Sequence, residues 1–232
     1  MTTPPVRVLV VDDDDLMRAG LRAVLSSDET IEVVGEAADG RQAVERTAAL
    51  APDVVLMDVR MPVLDGIEAT RRIVAAAPDA RILILTTFED DDYVLNALRA
   101  GAAGFVLKRI RPEHLIAGIH TVAGGDGLLA PRITHTVIEQ IAGQPPPDTA
   151  ALGRLRDLTP RERDVLTLVA HGLSNAEIAA RLVVEESTVK THIKRILAKL
   201  QLRDRIQAVI LSYETGLIRP GTASRGCTAP TT

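Results

Sequence analysis

Within roughly the first 120 residues, five short apolar runs alternate with stretches of helical character, and four of the runs stop on an acid, a hydroxyl or a lysine. The runs are 6–11, 31–37, 54–57, 81–85 and 104–107. The runs 6–11 and 54–57 are too short for a helix and apolar enough to read as buried strands, and 31–37, 81–85 and 104–107 read as the strands beside them. The helical stretches between them are punctuated by Asp14 or Asp15 as a cap, Asp39-Gly40, Asp65-Gly66 with Pro78, Glu89 to Asp92, and Arg111 to Val122 before Gly124-Gly125. A strict alternation of strand and helix demands parallel strands joined by right-handed crossovers. The expected fold class is therefore α/β, a doubly wound five-stranded parallel sheet.

In such a sheet the carboxyl ends of the strands share one edge, and ligands bind there. That edge would gather Asp12 and Asp13 after the first strand, Asp58 after the third, Thr86 after the fourth and Lys108 after the fifth. Taken singly, Asp58 reads equally well as a turn or helix-cap acid. Four successive carboxylates, Asp12 to Asp15, repel one another unless they are solvated or meet a cation, and a helix cap accounts for only one or two. Acids, a hydroxyl and one lysine suit magnesium-assisted phosphoryl chemistry. Mg2+ prefers carboxylate oxygens and water, a lysine offsets charge on phosphoryl oxygens, and a threonine donates to one of them. Asp58 would be the nucleophile, giving an acyl phosphate.

Charge divides the chain. Residues 1–150 hold 14 basic against 23 acidic side chains, net −9, whereas residues 151–232 hold 13 against 8, net +5. The front suits a cation or a basic partner and the back suits phosphate backbones. The single cysteine, Cys227, rules out an internal disulfide. No run approaches the ~18 apolar residues of a membrane span and no basic start precedes an apolar run, so the expectation is a cytoplasmic protein with no membrane partner.

Asp12-Asp13, Asp58 with Met61-Pro62 and Asp65-Gly66, Thr86, and Gly101-Ala102-Ala103-Gly104-Phe105 to Lys108 together resemble the receiver domain of two-component response regulators. The resemblance covers residues 1–125 and implies a flavodoxin-like strand order 2-1-3-4-5. It implies a Mg2+ cofactor ligated by Asp13, Asp58 and the backbone carbonyl of Arg60, with Asp12 acting mainly through water. It further implies Asp58 as phosphoacceptor, Thr86 and Lys108 on the phosphoryl oxygens, and Thr86 with Phe105 as a switch pair; Phe105 also reads as an ordinary core residue. Arg109 follows Lys108 where many receivers carry a cis proline, and a trans peptide is expected. Arg60 and Phe88 are bulky and flank the approach of water, which predicts slow hydrolysis of the acyl phosphate.

Residues 126–153 read as a linker, with a short helix over 133–141 and a spacer containing Pro145-Pro146-Pro147. Beyond it, Thr159-Pro160-Arg161-Glu162 carries a cap, a proline at the first helical position and a capping-box glutamate. A helix to about His171, a short one over 175–182, a tight Val183-Val184-Glu185 connection and a third helix over 186–200 form a small all-α helix-turn-helix domain, residues 154–218. On the third helix Val189, Ile193, Ile196 and Leu200 share one stripe, with Ser187, Lys190, Thr191 and Lys194 opposite. A basic solvated face would give the same pattern. The run from Leu158 to Leu202, with Gly172-Leu173-Ser174-Asn175, Glu177-Ile178-Ala179 and Ser187-Thr188-Val189-Lys190-Thr191-His192, resembles the LuxR-type domain of the NarL/FixJ group. That implies DNA contacts from Lys190, Thr191 and Lys194, with Ser187 and Thr188 nearer the backbone.

His171 and His192 lack companions at ligand spacing and are not read as metal ligands. The last helix presents Ile206, Val209, Ile210 and Tyr213, either as a dimer contact or as core, and residues 219–232 read as a disordered tail. The combined expectation is a transcription factor phosphorylated on Asp58 by a sensor histidine kinase, pairing as a homodimer on double-stranded DNA with two half-sites. It is a stoichiometric acceptor, not a turnover enzyme. Two alternatives stand beside it. An aspartyl-phosphate hydrolase would need an acid where Arg60 stands, and a small-molecule-sensing LuxR-type regulator would need more aromatics than two Phe, two Tyr and no Trp.

Overall fold

The structure is a computed structural model that describes residues 4–87, 91–125, 127–129 and 155–218, leaving aside the side chains of 91, 92, 128 and 129. Phe88, the helix expected over 133–141, the proline spacer and the 219–232 tail lie outside the described residues. The chain divides into two compact units, one of residues 1–133 with 203–207 and the other of 134–202 with 208–232.

The first unit contains β1 (Val6–Val11), α1 (Asp15–Leu25), β2 (Ile31–Ala37), α2 (Gly40–Leu50), β3 (Val54–Asp58), α3 (Gly66–Ala76), β4 (Arg81–Thr86), α4 (Asp91–Arg99), β5 (Gly104–Leu107), α5 (Pro112–Ala123) and β6 (Leu128–Leu129). The strands lie in the order β2-β1-β3-β4-β5-β6, all pairs parallel. The first five follow the order 2-1-3-4-5. The sixth adds two residues at the β5 edge, Gly104 facing Leu128 and Phe105 facing Leu129, inside the stretch expected to be linker. Two residues carry too little periodicity to be read as a strand.

Side chains alternate across the sheet. Val8, Val10, Val54, Leu56, Leu83, Leu85 and Val106 pack with Leu21 and Leu25 of α1 and Leu115, Ile119 and Val122 of α5. The intervening Leu9, Val55, Met57, Ile82, Ile84 and Phe105 point to the opposite face and are buried there. Both faces of the inner strands β1, β3, β4 and β5 are thus largely dry, whereas the edge strand β2 is only partly covered.

Local chemistry fixes where the helices begin. Asp14 caps α1, accepting from the amides of Leu16 at 2.8 Å and Met17 at 3.3 Å, which leaves Asp12 and Asp13 outside the helix. Asp65 caps α3 through the Glu68 amide at 2.8 Å. Gly66 follows because a Cβ there would lie 1.9 Å from the carbonyl oxygen of Asp58. Only glycine lets α3 start directly against the end of β3.

From residue 155 on the described chain is helical: a 3-10 turn at Leu155–Asp157, then α6 (Pro160–Ala170), α7 (Asn175–Leu182), α8 (Glu186–Leu200) and α9 (Arg205–Glu214), whose first residues group with the first unit. Thr159 and Glu162 form the reciprocal capping box of α6, with Pro160 at the first helical position. Ser174 and Glu177 form a second one on α7. The sequence holds that signal in Ser174-Asn175-Ala176-Glu177, at the start of a helix of eight residues. Val183 turns the chain between α7 and α8 in the left-handed region, φ 54°. Ile206, Val209, Ile210 and Tyr213 of α9 are buried, and the Tyr213 hydroxyl donates to the Ala170 carbonyl at 3.2 Å.

Candidate functional site

Parallel strands put their carboxyl ends on one edge, and there Asp12, Asp13 and Asp58 each offer a carboxylate oxygen within 4.8 Å of the others. Asp12 is fully buried and Asp58 nearly so, while Asp13 is exposed. The Lys108 ammonium joins them, 2.6 Å from Asp12 Oδ2 and 2.9 Å from Asp58 Oδ2. The other Asp58 oxygen accepts from the Val59 amide at 2.7 Å. Asp12 Oδ1 accepts from the Asp14 amide at 3.1 Å, whereas Oδ2 meets Lys108 as an ion pair with no donor in hydrogen-bond alignment.

Three carboxylates and one ammonium give a formal charge of −2, the complement of a divalent cation. Burial pushes the Asp58 carboxyl above its usual range; the Lys108 ammonium opposes this, the Asp12 charge adds to it, and burial prevails. Burial also acts to lower the Lys108 ammonium, yet the contacts with Asp12 and Asp58 outweigh it and hold Lys108 above its ordinary value. The oxygen-only donor set of three convergent carboxylates fits a hard cation such as Mg2+. Among the described residues no other group of His, Cys, Asp or Glu side chains is placed to hold a metal, His171 and His192 included.

The remaining residues anticipated for the site lie on β4 and β5 or in the loops after β3 and β5. Thr86 ends β4, is buried, and accepts the Lys108 amide on its carbonyl at 2.7 Å. Phe105 lies fully buried in β5. The Lys108–Arg109 peptide is trans. Arg60 follows in the β3–α3 loop, with its guanidinium over the Tyr93 ring, 5.0 Å from the centroid. Arg18, which was not anticipated, donates from Nη1 to the backbone carbonyl of Asp12 at 2.6 Å.

On α8, Ser187, Thr188, Lys190, Thr191 and Lys194 are all exposed, and Val189, Ile193, Ile196 and Leu200 are all buried. Arg195, not anticipated, is exposed beside Lys194. Lys190 pairs with Glu186 one turn back at 3.2 Å, and the Thr191 hydroxyl donates to the Ser187 carbonyl at 3.0 Å. The helix is braced from its inner side: Lys199 Nζ lies 2.7 Å from Glu162 Oε2, the carboxylate of the α6 capping box. Lys199, burial and the Thr159 groups together set the Glu162 pKa, and the hydrogen bond from Lys199 leads in bringing it down to about 2.

The response regulator receiver domain family matches residues 8–120, and the family of bacterial regulatory proteins, luxR family, matches residues 156–212. The transcriptional regulatory protein LiaR of Bacillus subtilis (strain 168) is 38% identical over 213 residues, spanning 92% of this chain and 99% of that protein. The nitrate/nitrite response regulator protein NarL of Escherichia coli (strain K12) is 36% identical over 211 residues, 90% of this chain and 96% of that one. Among solved structures, the response regulator ChrA of a heme-sensing two-component system covers 93% of this chain and 100% of its own at 34% identity and a TM-score of 0.51. No helix among the described residues is long and apolar enough to cross a membrane. A receiver sheet with an acidic edge, joined to a LuxR-type DNA-binding domain, places this chain in the NarL/FixJ family of two-component response regulators that control transcription.

Proposed function

We propose that the chain is a phosphorylation-switched transcriptional regulator in which Asp58 accepts a phosphoryl group from a sensor histidine kinase. The observation that carries this reading is the Lys108 ammonium lying between the buried carboxylates of Asp12 and Asp58. Asp58 is the nucleophile: a lone pair on one carboxylate oxygen forms the new P–O bond, the bond from phosphorus to the donor breaks, and its electron pair leaves with the donor. Asp13, Asp58 and the carbonyl of Arg60 would hold Mg2+, with Asp12 acting mainly through water, and the ion would supply charge neutralisation to the phosphoryl oxygens. Lys108 then turns its ammonium from the carboxylates toward a phosphoryl oxygen, and the Thr86 hydroxyl donates to another. Phe105, beside this edge in β5, moves with Thr86 and biases the strand-end face toward a second arrangement.

The output is carried by residues 154–218. Lys190, Thr191 and Lys194 meet base edges in a major groove, with Ser187 and Thr188 nearer the phosphates, and Lys190 must leave Glu186 to do so. A homodimer sets two such helices about 34 Å apart over two half-sites. The chain acts stoichiometrically in the cytoplasm, and Arg60 at the position of a hydrolase's second acid supports a long-lived adduct over turnover.

The test is to incubate the protein with Mg2+ and a small acyl phosphate and to follow intact mass and duplex-DNA binding beside an Asp58→Ala variant. A single phosphoryl adduct that raises DNA affinity, absent from the variant, is the expected result; an adduct on the variant refutes the assignment.

A further inference from the structure

Arg18 stands on the first turn of α1, yet its side chain is only 13% exposed. Its guanidinium has three partners. Nη1 donates to the Asp12 carbonyl at 2.6 Å, Nη2 pairs with the Asp15 carboxylate, and Nε lies 3.6 Å from Glu36 Oε2 near the end of β2. Glu36 is itself held by Arg22 at 2.8 Å. The other polar groups of Asp12 are also fixed, its amide donating to the Ala37 carbonyl at 3.1 Å and its Oδ1 accepting from the Asp14 amide at 3.1 Å.

The peptide joining Asp12 to Asp13 therefore takes its direction from the bond that Arg18 makes. Asp13 is exposed, and what brings its carboxylate within 4.8 Å of the other two is the course of the backbone that carries it. We infer that Arg18 is a positioning residue for divalent-cation binding, holding the Asp12–Asp13 peptide so that both carboxylates converge with Asp58. This inference rests on the reading of those three acids as a Mg2+ site.

Charge and position predict opposite signs. A guanidinium near a cation site repels the cation, so if charge were its whole effect, removing it would tighten Mg2+ binding. With Asp15 and Glu36 offsetting that charge, loss of the carbonyl bond dominates, and groups that orient ligands in this way typically contribute about 10-fold or more to metal affinity.

The test is calorimetric titration of Mg2+ into the full chain and into Arg18→Gln, Arg18→Lys, Arg22→Gln and Asp13→Asn variants, with far-UV spectra to verify folding. Arg18→Gln is expected to bind about 10-fold more weakly. Arg18→Lys keeps the charge but cannot span the carbonyl, Asp15 and Glu36 together, so it too falls below wild type. Arg22→Gln frees Glu36 but leaves the carbonyl bond in place and falls less than Arg18→Gln; an equal or larger fall overturns the role of Arg18. Should Arg18→Gln not fold, Arg18→Lys decides alone. Wild-type or tighter binding by either Arg18 variant, with Asp13→Asn impaired, overturns the role of Arg18 and leaves the cation site standing. Unimpaired binding by Asp13→Asn overturns the site itself and this inference with it.

Discussion

Asp12, Asp58 and Thr86 are buried and sit at the carboxyl ends of three different strands, whereas Ser187, Thr188, Lys190, Thr191 and Lys194 are exposed and come from one helix. The first set has a fixed environment: burial raises Asp58, and a single ammonium serves two carboxylates. The second set is held lightly, through an exposed i,i+4 pair and side-chain bonds within one turn. A buried pocket concentrates charge and makes each group depend on the others. An exposed stripe leaves its members nearly independent and free to exchange a partner such as Glu186 for DNA.

That contrast is open to attack from both sides. Lys108→Met should have the largest effect, lowering the rate of phosphorylation by an acyl phosphate about 100-fold while Mg2+ still binds, because a positioned cation is lost from a water-poor site. A loss of only a few fold would show the pocket to be less interdependent than its geometry implies. On the helix, Lys190→Ala and Lys194→Ala should each cost about 1–3 kcal/mol of binding to a selected duplex, and although they stand one turn apart the double variant should be close to additive because each reaches a different group on the DNA. Strong non-additivity in competition binding would erase the distinction between pocket and stripe.

Smaller effects probe the scaffold beneath the stripe. The Glu162 carboxyl is held at about 2, against 4.5 unperturbed, so its pairing with Lys199 stabilises the domain fully above about pH 4.5 and is lost as pH falls toward 2. Glu162→Gln should therefore flatten the acid limb of the melting curve over that window. The expected loss at neutral pH is about 1–2 kcal/mol, reduced by the solvent around Lys199. Ser174→Ala removes one capping-box acceptor from α7 and should cost about 1 kcal/mol in thermal melting, the least of the series.

Much of this was legible beforehand because the signals are local. Asp65-Gly66 announces the start of α3, and its stringency lies in the 1.9 Å approach that any Cβ would make to the Asp58 carbonyl oxygen. The periodicity of α8 separates Val189 and Ile193 from Lys190 and Lys194 without any partner being known. Arg18 was not legible: its partners are a carbonyl before the helix and a glutamate on β2, and no spacing rule joins positions 12, 18 and 36. The same holds for Lys199 with Glu162, where residues 37 apart meet across two helices.

By itself the sequence determined the alternation of strands and helices, the residue types at each strand end and the two faces of the reading helix, since periodicity and capping act over a few residues. Three-dimensional packing settled the rest: Asp14 caps α1 and leaves Asp12 and Asp13 to the pocket, Lys108 bridges two carboxylates, and a half-buried arginine holds the Asp12 carbonyl. Those outcomes depend on distances between groups far apart in the chain, and such distances are set by how the sheet packs its layers.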